Sequence, residues 1–114
     1  MVIAQEMAGK IAVLNLSGTF TLGSGTGTLK DKVHSLVFEG HKQIALNLAG
    51  LSYMDSAGLG ELVSVHSTVV RAGGEIKIFN LTKRVSDLLS ITKLLMVFDV
   101  YDTQQEAMNS FKES

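Results

Sequence analysis

The sequence contains no cysteine, no proline and no tryptophan in its 114 residues. Without cysteine there is no disulfide framework and no thiolate metal site, which fits a cytosolic protein. An excess of either charge is also missing, since 10 Lys and Arg stand against 11 Asp and Glu for a net charge of -1. A nucleic-acid footprint would need a basic face, so no direct nucleic-acid contact is expected. Long apolar runs are absent too. The longest, Leu94–Phe98, falls far short of the roughly 20 residues a bilayer-spanning helix requires. Met1–Lys10 lacks the charged-then-apolar order of a secretory signal. The chain therefore reads as cytoplasmic, with no membrane insertion. No His/Asp/Glu group has metal-ligand spacing, so neither metal nor cofactor is expected. The lack of proline decides nothing.

What is present is 46% hydrophobic residues, enough for one ordinary core and leaving little room for a second domain. Val2–Met7 and Ile11–Leu16 are aliphatic runs joined by Ala8-Gly9-Lys10, a connection suited to a β-hairpin. Ser17–Thr28, full of glycine and hydroxyls, reads as an exposed loop. Leu29, Val33, Leu36 and Val37 then make one helical stripe that Gly40 can end. Gln43–Leu48 reads as an inner strand apolar on both faces. Leu59, Leu62, Val63, His66, Val69 and Val70 give a second helical stripe, stopped by Gly73-Gly74. Glu75–Asn80 is the next strand, and Thr82 is a fitting N-cap for a third helix carrying Val85, Leu88 and Leu89. A turn within Leu94–Phe98 leads to a last strand near Val100-Tyr101. Thr103 with Glu106 fits a capping box for a terminal helix with Ala107, Met108 and Phe111 on one edge. Strands joined by helical crossovers imply parallel pairing in an α/β sheet.

Between the central strand and the second helix lies Leu51-Ser52-Tyr53-Met54-Asp55-Ser56-Ala57-Gly58-Leu59-Gly60, read as a hydroxyl-rich turn. A helix N-terminus there favours an anionic group, whether a bound phosphate or a phosphorylated side chain. Ser56 is the best-placed hydroxyl. It can serve as a plain N-cap, and that role is compatible with modification because a cap serine lies at the surface. Serine hydrolysis is disfavoured. The hydrolase elbow needs glycine two places before the serine, where this chain has Met54, and no motif ties His34, His41 or His66 to it. The loop Gly23-Ser24-Gly25-Thr26-Gly27 matches neither dinucleotide nor P-loop spacing and lacks the lysine.

Asp55-Ser56-Ala57-Gly58-Leu59-Gly60, after a buried strand and before Arg71-Ala72-Gly73-Gly74 and a further strand, resembles the STAS domain. The likeness is to its small free-standing members, the bacterial anti-sigma factor antagonists, and it covers nearly the whole chain. It implies one STAS domain over residues 1–114: α/β, a mixed sheet of about five strands with an N-terminal hairpin, and about four helices packed on it. It also implies a binding module without enzyme activity. In that family the serine corresponding to Ser56 is phosphorylated by a partner that is both anti-sigma factor and serine kinase. The phosphate switches binding off, and a serine phosphatase is the further partner implied. The partner face so implied comprises Thr19, Phe20, Thr21, Gly23 and Ser24 of the glycine-rich loop, together with Tyr53, Met54, Asp55, Ser56, Ala57, Gly58 and Gly60 of the turn. Family members often carry an acidic residue shortly after the glycine that ends the second strand, whereas this chain has Gly18-Thr19-Phe20-Thr21. A scaffold or transporter-associated subunit, with Ser56 unmodified, is the alternative within the same family.

Overall fold

The computed structural model describes residues 1–112. Its elements run β1 (Val2–Ala8), β2 (Ile11–Phe20), α1 (Thr28–Phe38), β3 (Gln43–Met54), α2 (Ser56–Arg71), β4 (Glu75–Phe79), α3 (Lys83–Ile91), β5 (Asp99–Tyr101) and α4 (Gln104–Ser110). The five strands lie in sequence order in one sheet. β1 pairs antiparallel with β2, and β2 to β5 are parallel. Helices crossing between successive parallel strands in one direction all end on the same face. Accordingly α1, α2 and α3 bury Leu29, Val33, Leu62, Val65, Val85 and Leu89 against Ile44, Leu46 and Leu48. The alternate strand residues Val13, Ala45 and Phe79 point the other way and are covered by Ala107 and Phe111 of the α4 segment.

The helix ends show why the chain stops where it does. After α1, Gly40 sits at φ 92°, and the N–H groups of Gly40 and His41 bond the carbonyls of Val37 and Leu36. Gly73 and Gly74 repeat this pattern on Val70 and Val69 after α2. α3 ends identically on Ser90 and Leu89, but the left-handed position is Lys93, at φ 62°. A side chain there costs backbone energy that glycine avoids. Lys93→Gly is therefore expected to raise stability by about 0.5–1 kcal/mol, net of the extra chain entropy of glycine, as read from urea denaturation.

Three strand boundaries and the buried stripe of α2 differ from the sequence reading. The stretch read as a loop from Ser17 begins as strand, because register shifts after Asn15 and after Gly18 carry β2 on to Phe20. Bulges of this kind re-aim the following side chain, and Phe20 is fully buried. β3 likewise runs past Leu48 to Met54, closing on β2 at Gly50, where an added Cβ would lie 2.7 Å from the Leu16 carbonyl oxygen. β4 ends at Phe79 because Asn80 turns to φ 57°. On α2 the buried stripe holds Val65 and Val69, while Val70 is exposed and His66 lies half-buried, its ring edge-on to Phe98 at 5.2 Å. Thr82 does cap α3 through the Val85 N–H, and Thr103 caps α4 through the Glu106 N–H. The Glu106 carboxylate takes the Thr103 hydroxyl.

Candidate functional site

The site forms where the ends of β2 and β3 meet the start of α2. Asp55, in extended conformation, is the N-cap, and Ser56 is the first helical residue. Ser56 itself is thus not the cap, and the reason is geometric. Asp55 Oδ1 accepts from the Ala57 and Gly58 N–H groups, both at 3.0 Å, so the residue before Ser56 satisfies the first helical turn. Asp55 Oδ2 accepts from the Leu22 N–H at 3.1 Å, and the Asp55 N–H donates to the Phe20 carbonyl at 3.3 Å. One side chain thus ties the loop after β2 to the first turn of α2.

The Ser56 hydroxyl is left over. It is exposed and has no hydrogen-bond partner among the described residues. The donors bonded to Asp55, Gly58 first and then Leu22 with Ala57 behind them, hold its carboxyl below its ordinary pKa against an opposing desolvation. A depressed carboxylate stabilises the fold above its unfolded pKa, and that contribution is lost as pH falls through the folded value. Asp55→Asn keeps a capping oxygen without the charge. The stability gap between parent and Asp55→Asn is expected to be full near pH 7 and to close in acid, below the ordinary carboxylate range. Denaturant titrations of both proteins across that range check this.

A second acid acts on the far end of the same loop. Glu61 of α2 accepts from the Gly27 N–H with one oxygen and from the Lys30 N–H at 3.1 Å with the other. It supplies the cap that α1 lacks, since no side-chain bond comes from Gly27, its own N-cap residue. Within the loop, the hydroxyls of Thr19 and Ser24 are 2.8 Å apart, and Thr21 and Ser24 exchange two backbone bonds. Gly23 and Gly25 have φ of 81° and 95°, which the tight turn requires.

Not every expected face residue reaches the surface. Thr19, Gly23, Tyr53, Ser56 and Gly60 are exposed, and Thr21, Ser24, Asp55 and Ala57 are half-buried. Phe20 and Met54 are core residues, and Gly58 is buried, its Cα facing the Phe20 carbonyl. Their side chains are turned inward because the bulged β2 and the extended β3 aim them beneath α2. Three residues were missed. Leu22 is 80% exposed on the loop that Asp55 holds, and only its place in a hydroxyl-rich run could have marked it. Arg84 lies over the Tyr53 ring at 5.0 Å, and Glu61 acts through a fold-dependent contact with no local signal. Among the described residues, no group of His, Cys, Asp and Glu could hold a metal. None of their helices is long and apolar enough to cross a membrane.

These features define a small α/β domain that presents an unengaged serine at a rigidly capped helix start. The chain belongs to the STAS domain family, whose model matches residues 3–107. It is similar to the anti-sigma-B factor antagonist of Bacillus subtilis, with 33% identity over 87 residues, 76% of this chain and 78% of that protein. Its fold is that of a candidate anti-sigma factor antagonist from Thermotoga maritima, with a TM-score of 0.89 at 22% identity over 97% of this chain and 95% of that one. The Bacillus cell fate determinant SpoIIAA in its phosphorylated form also superposes, with a TM-score of 0.73 at 21% identity over 95% and 97% of the two chains.

Proposed function

We propose that this protein is an anti-sigma factor antagonist, a switch that binds an anti-sigma factor with serine kinase activity and releases it when Ser56 is phosphorylated. A serine phosphatase resets the switch, and the domain itself performs no catalysis. The observation that carries the reading is the free, exposed Ser56 hydroxyl between a committed Asp55 cap and an exposed loop. The similarity to the Bacillus subtilis antagonist supports it. A phosphate adds about 1.5 to 2 negative charges. It would stand beside a carboxylate that already occupies the Ala57 and Gly58 N–H groups, so those donors are not free to receive it. The charge faces outward and penalises any partner covering the turn, while the fold is kept.

Ser56→Asp is expected to weaken binding of the cognate anti-sigma factor by about tenfold or more, as like charges brought together at an interface cost several kcal/mol. Its melting temperature is expected to match the parent. Calorimetric titration measures the affinity, and undiminished binding by Ser56→Asp overturns the switch. Intact-mass measurement of the chain from its own cells, beside a Ser56→Ala copy, tests the modification. One phosphoryl group, lost in the variant, is the expected result. Only unmodified protein under every condition favours the scaffold reading.

A further inference from the structure

The two edges of the sheet are built differently. β5 has three residues, and its exposed Asp99 is fixed at 2.8 Å to the Lys77 ammonium of β4. Short, charged edges resist further pairing. β1 has seven residues, Val-Ile-Ala-Gln-Glu-Met-Ala, hydrogen-bonded along one side to β2, its one strand partner among the described residues. Its register runs unbroken from Val2 opposite Ser17 to Ala8 opposite Ile11. It has no proline, no lysine and no bulge, and Glu6 is its single charge. Val2 is 66% and Met7 45% exposed.

We propose that the free edge of β1 pairs antiparallel with β1 of a second copy, about a two-fold axis through Gln5. Residues opposed across an antiparallel pair share a sheet face, so the axis must pass through a residue and not between two. An axis at Glu6 would set two carboxylates against each other, and one at Ala4 would leave the Met7 end unpaired. At Gln5 the strand complements itself. Gln5 meets the partner's Gln5, Ile3 meets the partner's Met7, Ala4 meets the partner's Glu6, and Val2 meets the partner's Ala8. No like charges are opposed. Ile3 packs against the core on the helix-bearing face, so the partner's Met7 continues an apolar surface already begun. The second copy is favoured as occupant because every one of these pairs is supplied by the strand itself. The contact is of the small class, below roughly 1,200 Å², which makes the dimer concentration-dependent. It leaves Ser56 free, because β3 lies beyond β2 from this edge.

Sedimentation equilibrium of the full chain over rising concentration tests the pairing. The weight-average mass of the parent is expected to climb toward that of a dimer. Gln5→Lys and Gln5→Glu each place like charges on the axis and are expected to stay monomeric, with far-UV circular dichroism and melting temperature unchanged. An equimolar mixture of the two is expected to recover the dimer mass. A parent that stays monomeric, single variants that dimerise as the parent does, or a mixture that fails to associate overturns the proposal.

Discussion

Gly58→Ala is expected to destabilise the protein by about 3 kcal/mol or more, at the upper end of overpacking costs. Helix propensity alone points the other way, since alanine in a helix is favoured over glycine by about 1 kcal/mol. Space decides the sign. A Cβ at this position would stand 2.0 Å from the Phe20 carbonyl oxygen and 2.9 Å from its carbon, with Met54 Cγ at 3.1 Å. The first two are backbone atoms of β2, so no side-chain rotation relieves the contact. Either the start of α2 lifts or the end of β2 moves, and both carry the Asp55 N–H bond to Phe20. Gly60, two residues on, is the control: it is exposed, and nothing lies within 4 Å of its added Cβ. Gly60→Ala is expected to gain about 0.5–1 kcal/mol. Thermal melts followed by circular dichroism compare the two, since the chain has no tryptophan for fluorescence. At roughly 4–8 °C per kcal/mol for a domain of this size, the two variants should shift the midpoint in opposite directions. Equal stability of Gly58→Ala and the parent would contradict the packing.

Phe20→Ala is expected to cost about 3–5 kcal/mol, as truncations of buried aromatic side chains do. Phe20 is fully buried and among the largest side chains in the core. It pairs with Met54 at the last register position of β2 and β3, and its carbonyl receives the Asp55 N–H. Its removal hollows the floor under the serine turn. Set against a typical total of about 5–15 kcal/mol, the loss brings the protein near its unfolding threshold. Urea midpoints give the magnitude. A cost below about 1 kcal/mol would mean that the site closes over the void, contrary to the burial described.

Both residues bear on what the sequence made legible. The helical stripe of α1, the stops at Gly40 and Gly73, the Thr82 and Thr103 caps and the crossover order rest on local chemistry, and the structure has them all. The Asp55-Ser56 motif likewise marked the right junction. What a linear reading lacked was register. Gly18 falls in the stretch read as a loop and Gly50 lies past the strand read to Leu48, whereas the close approach of β2 and β3 and the register shifts beside them let both strands run on. Phe20 consequently reads as part of an exposed loop, and Met54 is left open between an exposed anchor and a residue buried under the loop, which is where it lies. The stripe read on α2 omits Val65, which is fully buried, and holds His66, which packs half-buried against Phe98. Glu61 reaches α1 from 34 residues away in sequence, a contact no local pattern encodes.

The unequal lengths of the central strands have a mechanical consequence. β4 last pairs with β3 at Asn47 and Phe79, while β3 continues to Met54 with β2 as its one strand partner among the described residues. At about 3.3 Å per residue, that overhang carries the serine roughly 20 Å beyond the last rung of β4. Within the sheet the serine turn is thus carried by β2 and β3, with the first turn of α2 packed over Phe20 and Met54 and Arg84 of α3 lying over Tyr53. Under the function proposed above, a charge added at Ser56 stands at the end of the sheet that β4 and β5 do not reach.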